Sequence, residues 1–255
     1  ILDKYKLGAI NGTSIATSSP SSFVSHEFAY VIERDNSEAT WEEILMTINS
    51  DSNTSINTLI MMFMSGSLAI IGLYTNSLHI VVAGMLIAPG FMPISRIALG
   101  IVTKVVTWKY GLYDFFKGYL LLLSGAAFTS IVFLISGYDI IYDSDTYYVI
   151  NNTMFKYWTT FSYPSIFASI AASIAGAIIL ATRKSVFASG VMIGLALVPS
   201  ASIIASALLS AEFQTAGLAF LRFITDSMIV FVFSLTIFYW KKYIFIKEEC
   251  KYSFC

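Results

Sequence analysis

The chain has 255 residues, of which 56% are hydrophobic and 12% are charged, and its formal net charge is −1. A soluble domain carries about 25% charged residues, so this composition does not supply a water-exposed surface. Without an excess of basic residues, nothing in the charge indicates nucleic-acid binding. The mean hydropathy of +0.73 instead predicts an integral membrane protein surrounded by the lipid bilayer.

The first 56 residues form a polar N-terminal segment. Residues 1–37 are rich in Ser, Thr, Gly and Asn, and the segment is too polar for a signal peptide. Residues 37–48 predict a short amphipathic helix, because Trp41 and its apolar neighbours recur at helical spacing. This helix would lie at the membrane interface or pack against the bundle. Because the sequence opens at Ile1 and not at methionine, we expect it to be part of a longer chain.

Six apolar segments follow, each near the roughly 20 residues that an α-helix needs to cross the hydrocarbon core. They cover approximately residues 57–75, 79–101, 118–136, 164–182, 185–210 and 217–240. Their apolar runs are continuous and do not alternate, which predicts helices. The expected organisation is a polar segment (1–56), an all-α integral membrane domain of about six transmembrane helices (57–240) and a cytoplasmic tail (241–255).

The distribution of basic residues predicts the orientation in the membrane. With six crossings, both termini share one side with the loops after the second and fourth helices, which carry Lys104, Lys109 and Arg183. The opposite side has little beyond Lys156. Since cytoplasmic loops carry the excess of Lys and Arg, we expect both termini to be cytoplasmic and the membrane to be the plasma (inner) membrane.

A repeat with an offset of 106 residues relates the second apolar segment to the fifth. In the second segment, Gly84 precedes an apolar run that ends in Pro89 and Pro93; in the fifth, Gly190 precedes an apolar run that ends in Pro199. A unit of three helices is odd in number, so the second half must enter the membrane from the other side. We therefore expect two inverted three-helix repeats.

The prolines predict that helices 2 and 5 are broken in mid-span. Proline removes a backbone donor and clashes with the preceding turn, and Ala88, Pro89, Gly90 and Pro93 stand close together. Broken backbone is tolerated at membrane depth where protein or water covers it, and its freed carbonyl groups can bind ions or polar solutes. A packing kink without a ligand is the alternative interpretation.

A family resemblance rests on these same regions. It is carried by Asn76 and Ser77, by the run from Ala83 to Pro89 with Pro93 four residues later, and by Ala196-Leu197-Val198-Pro199. At these residues the sequence resembles the uncharacterised hydrophobic domain family (domain of unknown function 389), over roughly residues 57–240. The resemblance implies a membrane protein, sometimes with a soluble cytoplasmic extension, and it implies no particular substrate.

The candidate functional residues are polar or ionisable groups inside the spans, where a charge needs a partner or water. Arg96 follows the break and would attract an anion, pair with a carboxylate or extend to the interface. Arg222 and Asp226 are four residues apart, hence on one helix face. Asp226, the only carboxylate well inside a predicted span, would bind a cation or a coupling proton, or pair with Arg222 and fix the packing. The predicted pathway comprises Ala88, Pro89, Gly90, Pro93, Ser95, Arg96, Pro199, Ser200, Ser202, Arg222 and Asp226.

These features predict a membrane transporter or channel-like facilitator for a small polar solute or ion, with its site where the broken helices meet near the midplane. The alternative is a structural or signalling membrane module, which does not require a pair of broken helices. The sequence contains no His-Glu-x-x-His motif and no Cys/His cluster, so we expect neither an enzyme nor a cofactor or metal. Ala168, Ala172 and Gly176, at four-residue spacing, predict close contact with another helix or another protomer, hence a homo-oligomer.

Overall fold

The computed structural model describes residues 55–88, 90–104, 106–136, 153–181 and 197–252, with side chains up to residue 243. Within these ranges all regular structure is helical. The helices are α1 (Ile56–Tyr74), α2 (Leu78–Ile87), α3 (Phe91–Thr103), α4 (Thr107–Ile135), α5 (Thr153–Thr159), α6 (Tyr163–Ala181), α7 (Leu197–Leu209) and α8 (Phe213–Tyr252). The amphipathic helix expected at 37–48, residue Pro89 and the first part of the fifth expected span lie outside the described residues.

Four of these helices are long and apolar enough to cross a membrane: α1, α4, α6 and the Phe213–Tyr243 part of α8. The pair α2 and α3 passes the same test together and is bent by 41° at a short break, which gives five spans if the pair counts as one. Helix α7 is apolar but has 13 residues, so it is too short to cross alone. By length and composition, the described chain is a helical membrane domain.

Two of the helices extend further than the sequence predicts. The third span was expected to begin at residue 118, but α4 begins at Thr107; the sixth was expected over 217–240, but α8 covers Phe213–Tyr252. Hydropathy detects only the part of a helix that lies in hydrocarbon, whereas backbone hydrogen bonding continues into the polar interface. As a consequence, Asp114 lies inside a helix that qualifies as a span.

The outer surface of these helices suits a bilayer. Phe116, Leu120 and Phe128 of α4 are 64%, 66% and 58% exposed, and lipid tails rather than water are the solvent for so much apolar surface. Exposed aromatic residues also gather near helix ends, among them Tyr110 in α4 and Trp240 in α8. Trp and Tyr are typical of the two membrane–water interfaces.

Contacts between helix ends establish which helices finish together. The ring of Tyr74, the last residue of α1, stacks on Phe133 near the end of α4, with 5.2 Å between the centroids. The Tyr74 hydroxyl lies 2.9 Å from the Oγ of Ser206 near the end of α7. Helices α1, α4 and α7 therefore finish on one side of the bundle.

Two lysines of α8 mark the opposite side. The Nζ of Lys242 donates to the carbonyl oxygen of Val102 near the end of α3, at 2.7 Å. The Nζ of Lys241 donates to the carbonyl oxygen of Ala181 at the end of α6, at 2.8 Å. Helices α3 and α6 thus finish beside the same stretch of α8.

Helices α1 and α4 touch backbone to backbone. A Cβ atom on Gly66 would overlap the carbonyl oxygen of Leu122, and one on Gly125 would overlap that of Phe63. The Oγ of Ser67 adds a 3.2 Å hydrogen bond to the Gly125 carbonyl oxygen. Small residues permit this approach between membrane helices.

Four helices form the centre of the domain. Helix α3 packs against both α4 and α8, and α7 packs against the same two helices. Helix α1 covers α2, α4 and α7, while α6 packs on α8. Within the small-residue row expected on α6, Gly176 is buried and Ala168 is exposed, so only part of that row lies in the bundle.

Candidate functional site

The break predicted in the second span is present between α2 and α3. Helix α2 ends at Ile87, and Ala88 adopts an extended conformation with φ −81° and ψ 121°. Helix α3 then begins at Phe91, after Gly90. Ala88 is 1% exposed and Phe91 is 3% exposed, so the interruption is covered by protein on both sides.

The two prolines beyond the break stand just inside helix starts. Pro93 is the third residue of α3, and Pro199 is the third residue of α7. The N–H groups of the first helical turn have no partner within the helix, so a proline there sacrifices no hydrogen bond. The break predicted in helix 2 is therefore found just before Pro93, which stands inside the start of α3. The residues that precede α7 lie outside the described ranges, so the break of helix 5 at Pro199 stays a prediction.

Tyr119 of α4 is the side chain that meets the broken backbone. Its hydroxyl donates a 3.3 Å hydrogen bond to the carbonyl oxygen of Gly90. Its ring packs on Phe115 and on Phe223 of α8, at centroid distances of 4.7 and 4.9 Å. A Cβ atom on Gly90 would stand 2.7 Å from the Tyr119 hydroxyl oxygen. A larger residue here would have to displace the tip of the Tyr119 side chain, and Tyr119 is a residue that the sequence did not reveal.

Helix α1 binds the end of α2, on the other side of the break. The Oγ of Ser65 donates a 2.7 Å hydrogen bond to the carbonyl oxygen of Gly84 in α2, and Ser65 is fully buried. The same carbonyl oxygen accepts the Ala88 N–H that closes the helix. The last turn of α2 is thus tied to α1, while the first turn of α3 meets α4.

Arg96, one helical turn beyond the break, forms an ion pair with Asp114 of α4. Both side chains are largely buried, at 12% and 7% exposure. Of the roles considered for Arg96, pairing with a carboxylate is the one found. Asp114 was not a candidate because the expected span began after it; it is the eighth residue of α4. That Asp226 is the only carboxylate well inside a span stays a prediction.

Arg222 and Asp226 form the second buried ion pair, with 2.9 Å between Nε and Oδ2. Helix α6 completes it: the Oγ of Ser169 donates to Asp226 Oδ1 at 2.9 Å, and Arg222 Nη1 donates to the Oγ of Ser165 at 2.7 Å. The guanidinium carbon also lies 5.6 Å from the ring centroid of Phe161. This pair therefore joins α8 to α6, as the packing interpretation anticipated.

The predicted pathway residues fall into separate places. The break and Arg96 lie in the bent helix pair α2 and α3, whereas Arg222 and Asp226 lie between α8 and α6. Phe223, next to Arg222 in sequence, is the link, because its ring contacts Tyr119 at the break. On α7, Ser200 Oγ donates to the Leu197 carbonyl oxygen at 3.3 Å. Ser95 and Ser202 are fully buried, and their hydroxyl groups have no hydrogen-bond partner among the described residues.

A family profile described as a domain of unknown function (DUF389) matches residues 85–232, more than half of the chain. The chain belongs to this family. An uncharacterized protein of Methanocaldococcus jannaschii is 26% identical over 231 residues, which cover 87% of this chain and 67% of that protein. No solved structure matches the chain significantly.

The DUF389 match contains the whole candidate site. It begins at residue 85 in α2 and ends at residue 232 in α8, so it includes the break, Tyr119 and both buried ion pairs. Ser65, which ties α1 to α2, precedes it. Among the described residues, no group of three or more His, Cys, Asp or Glu side chains is placed to hold a metal ion.

Proposed function

We propose that this chain is the membrane domain of a transporter or channel-like facilitator for a small polar solute or ion. The observation that carries the proposal is the buried break between α2 and α3. Helix ends leave carbonyl and N–H groups without intrahelical partners, and lipid cannot satisfy them. In transporters such interrupted spans bind the solute or coupling ion.

We further propose that the domain has six spans in two inverted halves. Helices α3 and α7 both have 13 residues and a proline in third place. Packing supports the same correspondence: α1 on α4 is matched by α6 on α8, α3 on α4 by α7 on α8, and α3 on α8 by α7 on α4. This pattern supports a correspondence in order between the helices of the two halves, with α7 assigned to the fifth span.

Helix direction supports the inversion. Helices α1, α4 and α7 finish together beside Tyr74, whereas α3 and α6 finish beside Lys241 and Lys242 of α8. These contacts support the proposal that corresponding helices run in opposite directions. The end with these two lysines also carries the Lys104 turn, so we assign it to the cytoplasm and both termini with it.

The proposed pathway begins at the break and includes the buried hydroxyl groups of Ser95 and Ser202. Helices α3 and α7 carry these serines and share both neighbours, α4 and α8. Asp226 is proposed as a cation or coupling-proton site that Phe223 connects to the break. A homo-oligomer in the bilayer remains part of the proposal, because residues of α6 such as Ala168 and Phe167 are exposed.

A structural or signalling membrane module is the second candidate. One observation favours it: both buried arginines are already paired with aspartates inside the chain, so their charges are balanced without a charged ligand. Such a module would use the ion pairs to fix helix packing. A signalling module does not account for the buried break between α2 and α3.

The test is flux through liposomes that contain the purified protein. We would compare the wild type with Gly90→Ala at the break and with Gly217→Ala, whose new Cβ atom meets nothing within 4 Å. The proposal expects flux of at least one cation, anion or uncharged solute above empty liposomes, reduced by Gly90→Ala and kept by Gly217→Ala. Folded protein that moves none of these solutes would overturn it and favour the signalling module.

A further inference from the structure

Three serine hydroxyl groups lie along the faces of α3 and α8 without hydrogen-bond partners among the described residues: Ser95, Ser227 and Ser234. Ser95 and Ser234 are fully buried. Serine inside a membrane helix usually donates to the carbonyl group four residues back. Ser130 and Ser173 do so here, at 2.9 and 2.6 Å. The three exceptions therefore present buried polar atoms that their own helices do not satisfy.

These hydroxyl groups lie on the two helices of one interface. Helix α3 packs along α8, with Tyr119 between Gly90 and Phe223 at one end and the Lys242–Val102 hydrogen bond at the other. Ser227 is one turn after Phe223, and Ser234 is two turns after Ser227. Phe223, Ser227 and Ser234 therefore share one face of α8. Ser95 is on α3, just over one turn after Gly90. The unpartnered hydroxyl groups thus extend from the break toward the lysine end.

We propose that the interface between α3 and α8 is the cytoplasmic half of the pathway, and that its solute is small, uncharged and hydrogen-bonding, such as a polyol or an amide. The inference rests on the proposed transport function and names its solute class. A buried hydroxyl group without a hydrogen-bond partner has lost the hydrogen bonds that water would give it, so a path in which water or solute contacts these groups accounts for their burial.

The charges around the interface disfavour cations. Asp226 is the only carboxylate on α3 or on the described side chains of α8, and it is held by Arg222 and Ser169 on the α6 side. Arg96 is neutralised by Asp114. Lys241 and Lys242 place positive charge at the lysine end, which repels cations. Hydroxyl groups both donate and accept hydrogen bonds, which suits solutes that do the same.

The location is tested by cysteine accessibility, which does not depend on transport. Cys250 and Cys255 are replaced by serine, and Ser95, Ser227 and Ser234 are each changed to cysteine. Ser130→Cys and Ser173→Cys are the matched controls, because both serines are buried but bonded to their own helices. Thiols react as hydrated thiolates, so a water-soluble thiol reagent is expected to modify the three test positions about tenfold faster than the controls. Equal rates at Ser95→Cys, Ser234→Cys and the controls would overturn the location.

The solute class is tested by swelling of the same proteoliposomes in glycerol and urea gradients, alongside conductance of potassium and chloride. Swelling above empty liposomes that Ser95→Ala or Ser234→Ala changes at least twofold, without conductance, supports the class. Conductance without swelling overturns the class and leaves transport standing. Labelling of the test positions with neither swelling nor conductance would refute the transport function itself, while the water-filled interface would stand.

Discussion

The hydroxyl oxygen of Tyr119 lies 3.3 Å from the carbonyl oxygen of Gly90, and this hydrogen bond joins the middle of α4 to the break before α3. The same tyrosine ring touches Phe223 of α8. One side chain therefore connects an interrupted backbone to two continuous helices. Its position makes it the point at which the break is most easily perturbed without removing buried surface.

Tyr119→Phe is expected to lower stability slightly and to alter transport. It removes one buried hydrogen bond, worth about 0.5–1.5 kcal/mol, and keeps the ring contacts. Thermal unfolding in detergent and solute flux in liposomes would measure the two effects. Tyr113→Phe, at a tyrosine of the same helix that is 63% exposed, is the control and should change neither. Identical behaviour of the two variants would remove Tyr119 from the site.

Gly90→Ala is expected to destabilise the protein by about 1–3 kcal/mol, because the new methyl group would stand 2.7 Å from the Tyr119 hydroxyl oxygen. In a Tyr119→Phe background the cost should fall, since the nearest atom is then a ring carbon at 3.5 Å. A double-mutant cycle of unfolding free energies measures this coupling. Additive effects would mean that the two residues do not touch. Gly217→Ala should be neutral or stabilising, because alanine favours a helix interior.

Replacing one partner of the Arg222–Asp226 pair is expected to lower the stability of the protein more than replacing both. Asp226→Leu leaves a buried guanidinium without its carboxylate, at a cost of about 3–5 kcal/mol. Asp226→Leu combined with Arg222→Met removes both charges and keeps apolar volume, so the double variant should unfold at a higher temperature than either single one. A double variant less stable than both would show that the hydrogen bonds to Ser165 and Ser169 matter more than the charge balance. Flux in this folded double variant also tests whether Asp226 belongs to the pathway.

Cysteines in two helix-joining turns should be labelled from opposite sides of the membrane. The turn at Lys104 joins α3 to α4, and the turn at Ala211 joins α7 to α8; both residues have φ of 58°. Inverted halves place the first turn in the cytoplasm and the second outside. In cells, an impermeant thiol reagent should therefore modify Ala211→Cys but not Lys104→Cys. Labelling of both from the same side would contradict the inversion.

The sequence predicts the helices of this fold well where they are purely apolar. The expected segments 57–75 and 164–182 differ by one residue from α1 and α6. Prediction fails where a helix continues past the hydrocarbon: residues 107–117 contain Lys109, Asp114 and Lys117, so α4 was expected to begin too late. Asp114, the partner of Arg96, was missed for this reason.

The candidate site is less accessible to sequence reasoning than the fold. The Ala88–Gly90 break follows from local chemistry, because proline and glycine both disfavour a continuous helix. The approach of Tyr119 is a tertiary contact between residues 29 apart, and no spacing rule predicts it. Ser227 and Ser234 were missed because the sequence does not distinguish a buried serine that lacks a hydrogen-bond partner from one that bonds to the backbone of its own helix.

The contact between α1 and α4 has a mechanical consequence. Gly66 and Gly125 each press against a carbonyl group of the opposite helix, so a displacement by one residue would bring a side chain into backbone. We therefore expect these two helices to resist sliding and to move together. The α6–α8 contact, by contrast, is bridged by the long Arg222 side chain and by serine hydroxyl groups, which can exchange partners as they shift. If the two halves have the same architecture, their contacts are still unequal, and we expect the first half to be the more rigid of the two.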